Sequence, residues 1–306
     1  MAGNNAVRQF TLKNALGSTI SLNDLDSFGY SPEGLGISFE NSYYGANANF
    51  LEDTTALSQS QFTINVLFGG ESGNPYVKYN DFIRFLNYQP LYLVYGIPSL
   101  GAYERQCRLS ELPKTELNEY NVIDEVLTLD FITPWYQWVE LYREDVQTVN
   151  GEGKIYVNNT ENINTGYYVY PYIYSSDTTA KKDYFNLNND SMYMGLAESS
   201  PLEVIIESLE NQIENPSWRI VQDSVEVQND KYFITMPKHS KLIVSSEPQN
   251  QRAVLITEDG SVSNIYQFQD MTKTNFVTAP LGQSTFHFEG ITEGISLRMR
   301  KEWVVI

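Results

Sequence analysis

Hydrophobic residues in this chain recur mostly at every second position, in short runs broken by Gly, Pro, Asn and Asp. That is the period of a strand with one face against a core. The clearest run is QFTINVLFGG, where Phe62, Ile64, Val66 and Phe68 share a face. FTLKNALGSTISL, from Phe10 to Leu22, predicts two short strands around a turn at Asn14 to Ser18. SPEGLGISF comes next, and its Pro32, Gly34 and Gly36 mark a turn before another strand. PLYLVYGIP, ERQCRLSEL and EVLTLDFITP continue the strand pattern. Helical spacing stands out once in this half, in NPYVKYNDFIRFLNY. Asn74 can cap it, Pro75 suits the first turn, and Tyr76, Tyr79, Phe82, Ile83 and Leu86 form a stripe, predicting a helix over Pro75 to Tyr88.

After TPWYQWVELY the pattern is interrupted by a polar, Gly-containing stretch, REDVQTVNGEGK, from Arg143 to Lys154. We place a domain boundary there, giving residues 1–145 and 146–306. The second half is a series of short alternating runs, among them PLEVIIE, WRIVQ, KYFITMP, KLIVSS and ISLRMRKEWVVI. Asp259-Gly260 lies between two apolar alternations and is the strongest hairpin signal in the chain. Short strands separated by turn residues predict an antiparallel sandwich, so the fold class is mainly β. In GYYVYPYIYSSD, alternation puts Tyr168, Tyr170, Tyr172 and Tyr174 on one face, and Pro171 makes the strand an edge or the start of a sheet. Such a tyrosine face suits either a protein contact or stacking on a sugar ring.

Composition narrows the function classes. At 306 residues, 42% hydrophobic and 13% aromatic, the chain has apolar surface for two cores. Its formal charge is −18, from 38 acidic and 20 basic residues. Binding to nucleic acid or to an anionic bilayer is therefore not expected. Cys107 is the only cysteine, which excludes an intrachain disulfide and a cysteine zinc site. Set among strand residues, it reads as buried and inert. The two histidines, His239 in PKHSK and His287 in TFHFEG, lack partners at metal-ligand spacing. There is no G-x-S-x-G, and GLG at Gly34 sits in no strand–GxGxxG–helix unit. No carboxylate pair is marked out for acid–base work. The sequence predicts no enzyme, no cofactor and no metal. MAGNNAVRQFTLKN has no apolar signal core, and no stretch approaches the roughly 20 apolar residues of a membrane span. A cytosol-like compartment is expected.

Several pieces, taken in order, carry a resemblance. FTLKNALGSTISL, the PEGLG turn, LPKTELNEYNVIDEVLTLDF with TPWYQW, YVYPYIY, NPSWRI, and DGSVSNIYQ with APLGQSTFHF resemble the distal tail protein (Dit) family of siphophages that infect Gram-positive bacteria. The resemblance runs from about Phe10 to Ile306. It implies a β-rich N-terminal domain with one helix that forms a hexameric ring at the tail tip. A galectin-like β-sandwich would hang on the outside of that ring. The ring would join the tail tube protein to the tail-tip hub, a tail-associated lysin-type protein, and the outer domains would hold receptor-binding protein. The chain would then be a non-catalytic baseplate component of the virion, assembled in the host bacterial cytoplasm and serving host attachment. An acidic chain suits a ring through which DNA passes.

The alternative is an adhesin whose sandwich binds host cell-wall saccharide. Sugar-binding galectins gather His, Asn, Arg, Trp and Glu on one face. Here NPSWRI offers Trp218 and Arg219, and neither histidine lies in a comparable run. Trp218 is the one carbohydrate candidate, and protein docking is the expected role of the sandwich. The turn of Gly34, Leu35 and Gly36 is the candidate assembly element. An arm toward receptor-binding protein is sought in DTTAKKDYFNLNNDSMYMG or around Asp223 to Asp230, and VYPYIY is expected to open the sandwich.

Overall fold

The computed structural model describes residues 8–24, 27–69, 73–98, 100–143, 154–155, 168–169, 183–291 and 294–306. Within them every ladder between strands is antiparallel. The first half runs β1 (Gln9–Lys13), β2 (Thr19–Ser21), β3 (Ser27–Glu33), β4 (Phe39–Ala46), β5 (Asn49–Leu57), β6 (Gln61–Phe68), α1 (Pro75–Leu86), β7 (Leu91–Ile97), β8 (Gly101–Glu111), β9 (Ile123–Phe131) and β10 (Trp135–Tyr142). The long strand β8 is a fork. It pairs with β7, which leads to β1 and β2, and its far end pairs with β9, which leads to β6 and β3. The first core lies between these branches, built from Phe10, Leu12, Phe62, Ile64, Val66, Phe68, Leu91, Leu93, Leu127 and Leu129. The alternating run of β6 therefore points where its period says.

Helix α1 covers this core. Asn74 Oδ1 accepts from Tyr76 N at 2.9 Å, and Pro75 opens the first turn, as its sequence requires. The buried stripe is Tyr79, Phe82, Phe85 and Leu86. Ile83, expected inside, is 38% exposed, and Phe85 takes its place. At ~100° per residue Ile83 and Phe85 lie about 80° to either side of the direction midway between Phe82 and Leu86, so periodicity alone does not choose between them. Phe68 meets the edge of Tyr79 at 5.3 Å and packs on Phe82 at 5.1 Å, so aromatic shape sets the rotation. The turn after β1 is tied to the same helix, because Asn14 Nδ2 donates to Phe85 O at 3.3 Å.

The second half adds β11 (Lys154–Ile155), β12 (Tyr168–Val169), β13 (Tyr184–Asn189), β14 (Ser199–Ser200), β15 (Leu202–Ser208), β16 (Ile213–Glu214), β17 (Ser217–Gln222), β18 (Val225–Lys231), β19 (Thr235–Met236), β20 (Ser240–Ser245), β21 (Arg252–Ile256), β22 (Val262–Asn264), β23 (Ala279–Pro280), β24 (Gly282–Glu289) and β25 (Gly294–Trp303). Two sheets enclose a second core. One runs β10-β25-β15-β20-β21-β22, and the other is β13-β24-β17-β18. Phe185, Val204, Ile206, Trp218, Ile220, Leu242, Phe286 and Leu297 fill the space between them. The hairpin expected at Asp259-Gly260 joins β21 to β22. Gly260 has φ +81°, and Asp259 accepts from Ser261 N at 3.0 Å.

Strand β10 joins the halves. It pairs with β25 from Trp135↔Trp303 to Tyr142↔Ser296, while its contact with β8 is the single pair Tyr136↔Glu104. Trp135 belongs to the first core, and Leu141 packs on the second. A polar seam runs along this junction. Glu104 bonds Lys13 at 2.9 Å and Tyr136 Oη at 3.0 Å, and the guanidinium of buried Arg300 lies 5.0 Å from the Tyr136 ring. Arg300 also pairs with Glu302 and Glu247, and Tyr193 Oη donates to Glu302 at 2.6 Å.

Candidate assembly and ligand surfaces

Strands β4 and β5 stand apart from the large sheet as a two-stranded hairpin of their own. Only Phe39 and Leu57, at its base, are partly covered; Asn41 to Gly45 and Asn47 to Ala56 are exposed. Tyr43, Tyr44, Phe50 and Leu51 are 55%, 63%, 79% and 58% exposed. Asn47 and Ala48 close it with φ of 47° and 65°, the hand of turn that matches strand twist. The hairpin carries Glu40, Glu52 and Asp53 and no basic residue. An isolated two-stranded ribbon is marginal in water, and one baring four large apolar side chains is more costly still. Sequence reading missed this element and found one strand where there are two.

The Gly34–Leu35–Gly36 turn forms the root of the hairpin. Gly34 has φ +83°, and a Cβ on it would fall 1.8 Å from the Gln61 carbonyl oxygen, so no other residue fits there. Leu35 packs against the first core. A Cβ on Gly36 would meet nothing within 4 Å, so no close approach demands glycine there. Ser58 N donates to Ser38 O at 3.0 Å to close the hairpin base, above a cleft of about 470 Å³ lined in part by Gly34, Gly36, Ser38 and Gln61.

Trp218 and Arg219 are adjacent on β17 and therefore point to opposite faces. Trp218 faces the second core, 2% exposed, with Tyr232 at 5.7 Å and Phe286 at 6.4 Å from its ring. No sugar can stack on it while the core is closed. Arg219 lies on the outer face, 3.6 Å from Glu289 and 4.0 Å from Glu226. His287 does not stand alone. Pairing of β24 with β17 sets it directly beside Arg219, and pairing with β13 sets it beside Tyr184.

His239 is an exposed turn residue with φ 55°. Cys107 is fully buried, and desolvation pushes its thiol up to about 12, which leaves it inert at neutral pH. Among the described residues no group of three or more His, Cys, Asp or Glu could hold a metal ion, and no helix is long and apolar enough to cross a membrane.

Of the tyrosine run, Tyr168 and Val169 pair with Ile155 and Lys154 in a two-stranded ladder, and Tyr170, Tyr172 and Tyr174 lie outside the described residues, as does 144–153 of the boundary stretch. The expectation that VYPYIY opens the sandwich falls, apart from Val169, outside the described residues. The four-stranded sheet takes its edge strand from Tyr184–Asn189, where alternating Phe185 and Leu187 supply core residues. Neither arm candidate reaches out among the described residues. Tyr184 to Tyr193 lies in β13 and the buried Asn189–Ser191–Ser200 network, and Asp223-Ser224 is a tight turn between β17 and β18.

The family described as "Distal tail protein, N-terminal domain" matches residues 9–132. No curated protein matches the chain in sequence. Among solved structures, a chain of the phage P2 baseplate in its activated conformation with Ca is similar at TM-score 0.71 and 16% identity, over 98% of this chain and 100% of that one. The same baseplate with Sr gives TM-score 0.70 at 15% identity, over 98% and 100%. The Dit protein of phage SPP1, described as a paradigm of the hub adsorption apparatus in Gram-positive infecting phages, gives TM-score 0.58 at 10% identity, over 95% and 98%. The shared fold spans both halves and the β10 junction, and residues 9–132 match the distal tail protein N-terminal domain.

Proposed function

We propose that this protein is a structural adaptor at the phage tail tip, in which six copies close a ring between the tail tube protein and the hub protein. The second half sits outside the ring and docks receptor-binding protein. Particles would be built in the host bacterial cytoplasm. The family match over residues 9–132 supports a place in the distal tail. The observation that carries the ring is the β4–β5 hairpin. It has two open edges and four exposed large apolar residues, and no other strand among the described residues pairs with it. A neighbouring copy supplies a surface for it in a head-to-tail contact, which closes when the rotation divides the circle. Gly34 then acts in assembly indirectly, by fixing where the hairpin leaves the body. Its all-acidic charge suits a channel wall that does not hold DNA phosphate.

Paired substitution Phe50→Asp and Leu51→Asp tests this. Both side chains are exposed in the single chain, so the melting temperature of the monomer should stay within about 2 °C. Native mass spectrometry with the tube and hub proteins should show six-copy species for the parent chain and single copies for the variant. Unchanged six-copy assembly in the variant would remove the hairpin from the contact.

A further inference from the structure

A head-to-tail ring needs two different patches on each copy, and the hairpin is one of them. Given the ring proposed above, on which this inference rests, the other patch has to take an acidic ribbon with large apolar side chains on both faces. Pairing of Tyr44 with Leu51 and of Gly45 with Phe50 sends Leu51 and Phe50 to opposite faces. Asp53 accepts from Ser42 Oγ at 2.9 Å and Glu52 from Thr55 Oγ1, and among the described residues neither meets a cation. A matching surface is concave, apolar at its floor and basic at its rim.

The end of α1 and strand β8 form such a groove. It holds about 340 Å³ and is lined by Ile83, Leu86, Asn87, Gln89, Arg108 and Leu109. Leu86 is buried, Ile83 is open to solvent, and Tyr88, which lies between two lining residues, is 46% exposed. Ala15 N donates to Tyr88 O at 3.0 Å, which brings the turn with exposed Leu16 alongside. Arg108 is the one charged lining residue. It is exposed, and among the described residues no hydrogen bond or ion pair engages its guanidinium. Its cross-strand neighbour Asp130 instead accepts from Gln61 Nε2 at 2.7 Å. The helix end presents no bare carbonyls to an acidic guest there, because Leu86 O accepts from Gln89 Nε2 at 2.8 Å and Phe85 O from Asn14 Nδ2.

The cleft at the hairpin's own root is a poor alternative, since its one charged lining residue is Asp130. Reach favours the groove as well. Gln61, Asp130 and Arg108 stand in one row across β6, β9 and β8, so root and groove of one chain lie two strand spacings apart, about 10 Å. A hairpin that ends in the next copy's groove therefore has to span about one body. The nine residues of β5 extend about 30 Å, and a body of ~135 residues is roughly 35 Å across. We propose that the groove between the end of α1 and β8 receives the β4–β5 hairpin of the next copy, with Arg108 meeting its carboxylates.

The test places Phe50→Cys and Ile83→Cys in one chain, because buried Cys107 leaves the two new thiols as the reactive ones. The complete chain is assembled with the tube and hub proteins and treated with a short bismaleimide. Denaturing electrophoresis should show a ladder of linked copies up to six, and each single variant should stop at pairs. Arg108→Glu in the otherwise native chain should lower the six-copy species about tenfold or more in native mass spectrometry, and adding Asp53→Lys should restore most of it. Six-copy particles that give no ladder, or that form unchanged with Arg108→Glu, would overturn the groove contact and leave the ring standing. Linkage of Ile83→Cys to a tube or hub chain would give the groove another occupant and overturn it too. A parent chain that never reaches six copies would remove the ring itself and this contact with it.

Discussion

Asp230 lies opposite Trp218 on the core side of β18, and its carboxylate accepts from Lys231 N at 2.8 Å and Phe276 N at 3.1 Å. Burial pushes its pKa up to about 7, against the pull of these donors. The folded value thus stands above the roughly 3.9 of an unfolded aspartate. Its stabilising contribution is complete below about pH 4 and is lost as pH rises through about 7. Asp230→Asn should remove that slope. Denaturant unfolding near pH 4.5 and near pH 8 should show the variant gaining on the parent by about 1–3 kcal/mol at the higher pH. An equal difference at both pH values would mean that Asp230 stays ionised throughout. Trp218, its cross-strand neighbour, is enclosed by Tyr232 and Phe286. Trp218→Ala should cost about 3–5 kcal/mol in the same unfolding experiment. A loss below about 1 kcal/mol would place the ring on the surface instead.

Strand β10 shows how an element can belong to one half by sequence and serve the other by pairing. It adds an edge strand to β25 and sets Leu141 on the second core. A chain of residues 133–306 should therefore melt about 5–10 °C above one of residues 146–306 in a thermal scan, since the shorter chain bares the β25 edge. Equal melting temperatures would make β10 dispensable to the sandwich. Elements whose partner is the protein's own core were legible in the sequence. Phe62 to Phe68 alternates because every second side chain is buried, and Asn74-Pro75 announces the helix start. What depends on distant pairing was not. No local pattern tells that His287 will stand beside Arg219, or that a bulge at Val227 will re-aim Glu226. The β4–β5 hairpin hides for a related reason. Its apolar residues Tyr43, Tyr44, Phe50 and Leu51 are adjacent rather than alternate, so neither face reads as buried. Ile83 failed at a finer level, where the packing of Phe68 on Tyr79 and Phe82, not the periodicity alone, fixes the helix rotation.

At the scale of the whole molecule, two cores share one continuous sheet through β10 and β25, and a partly buried polar seam from Lys13 to Tyr193 ties them together. That construction suits an adaptor, because load on the outer half passes to the inner half through paired backbone rather than a slack linker. In the proposed ring the first half would offer the β4–β5 hairpin to a neighbouring copy, and the net charge of −18 would keep the ring from holding DNA by its phosphates. The proposed ring is an arrangement of these parts about a common axis, and electron cryomicroscopy of the complete chain bound to its tube and hub proteins reads that arrangement directly. Six copies are expected, with residues 39–57 at the inter-copy contact near the channel and residues 183–291 on the periphery. A ring whose channel is lined by the second half, or copies that join tube to hub without contact between a hairpin and the next copy, would contradict it.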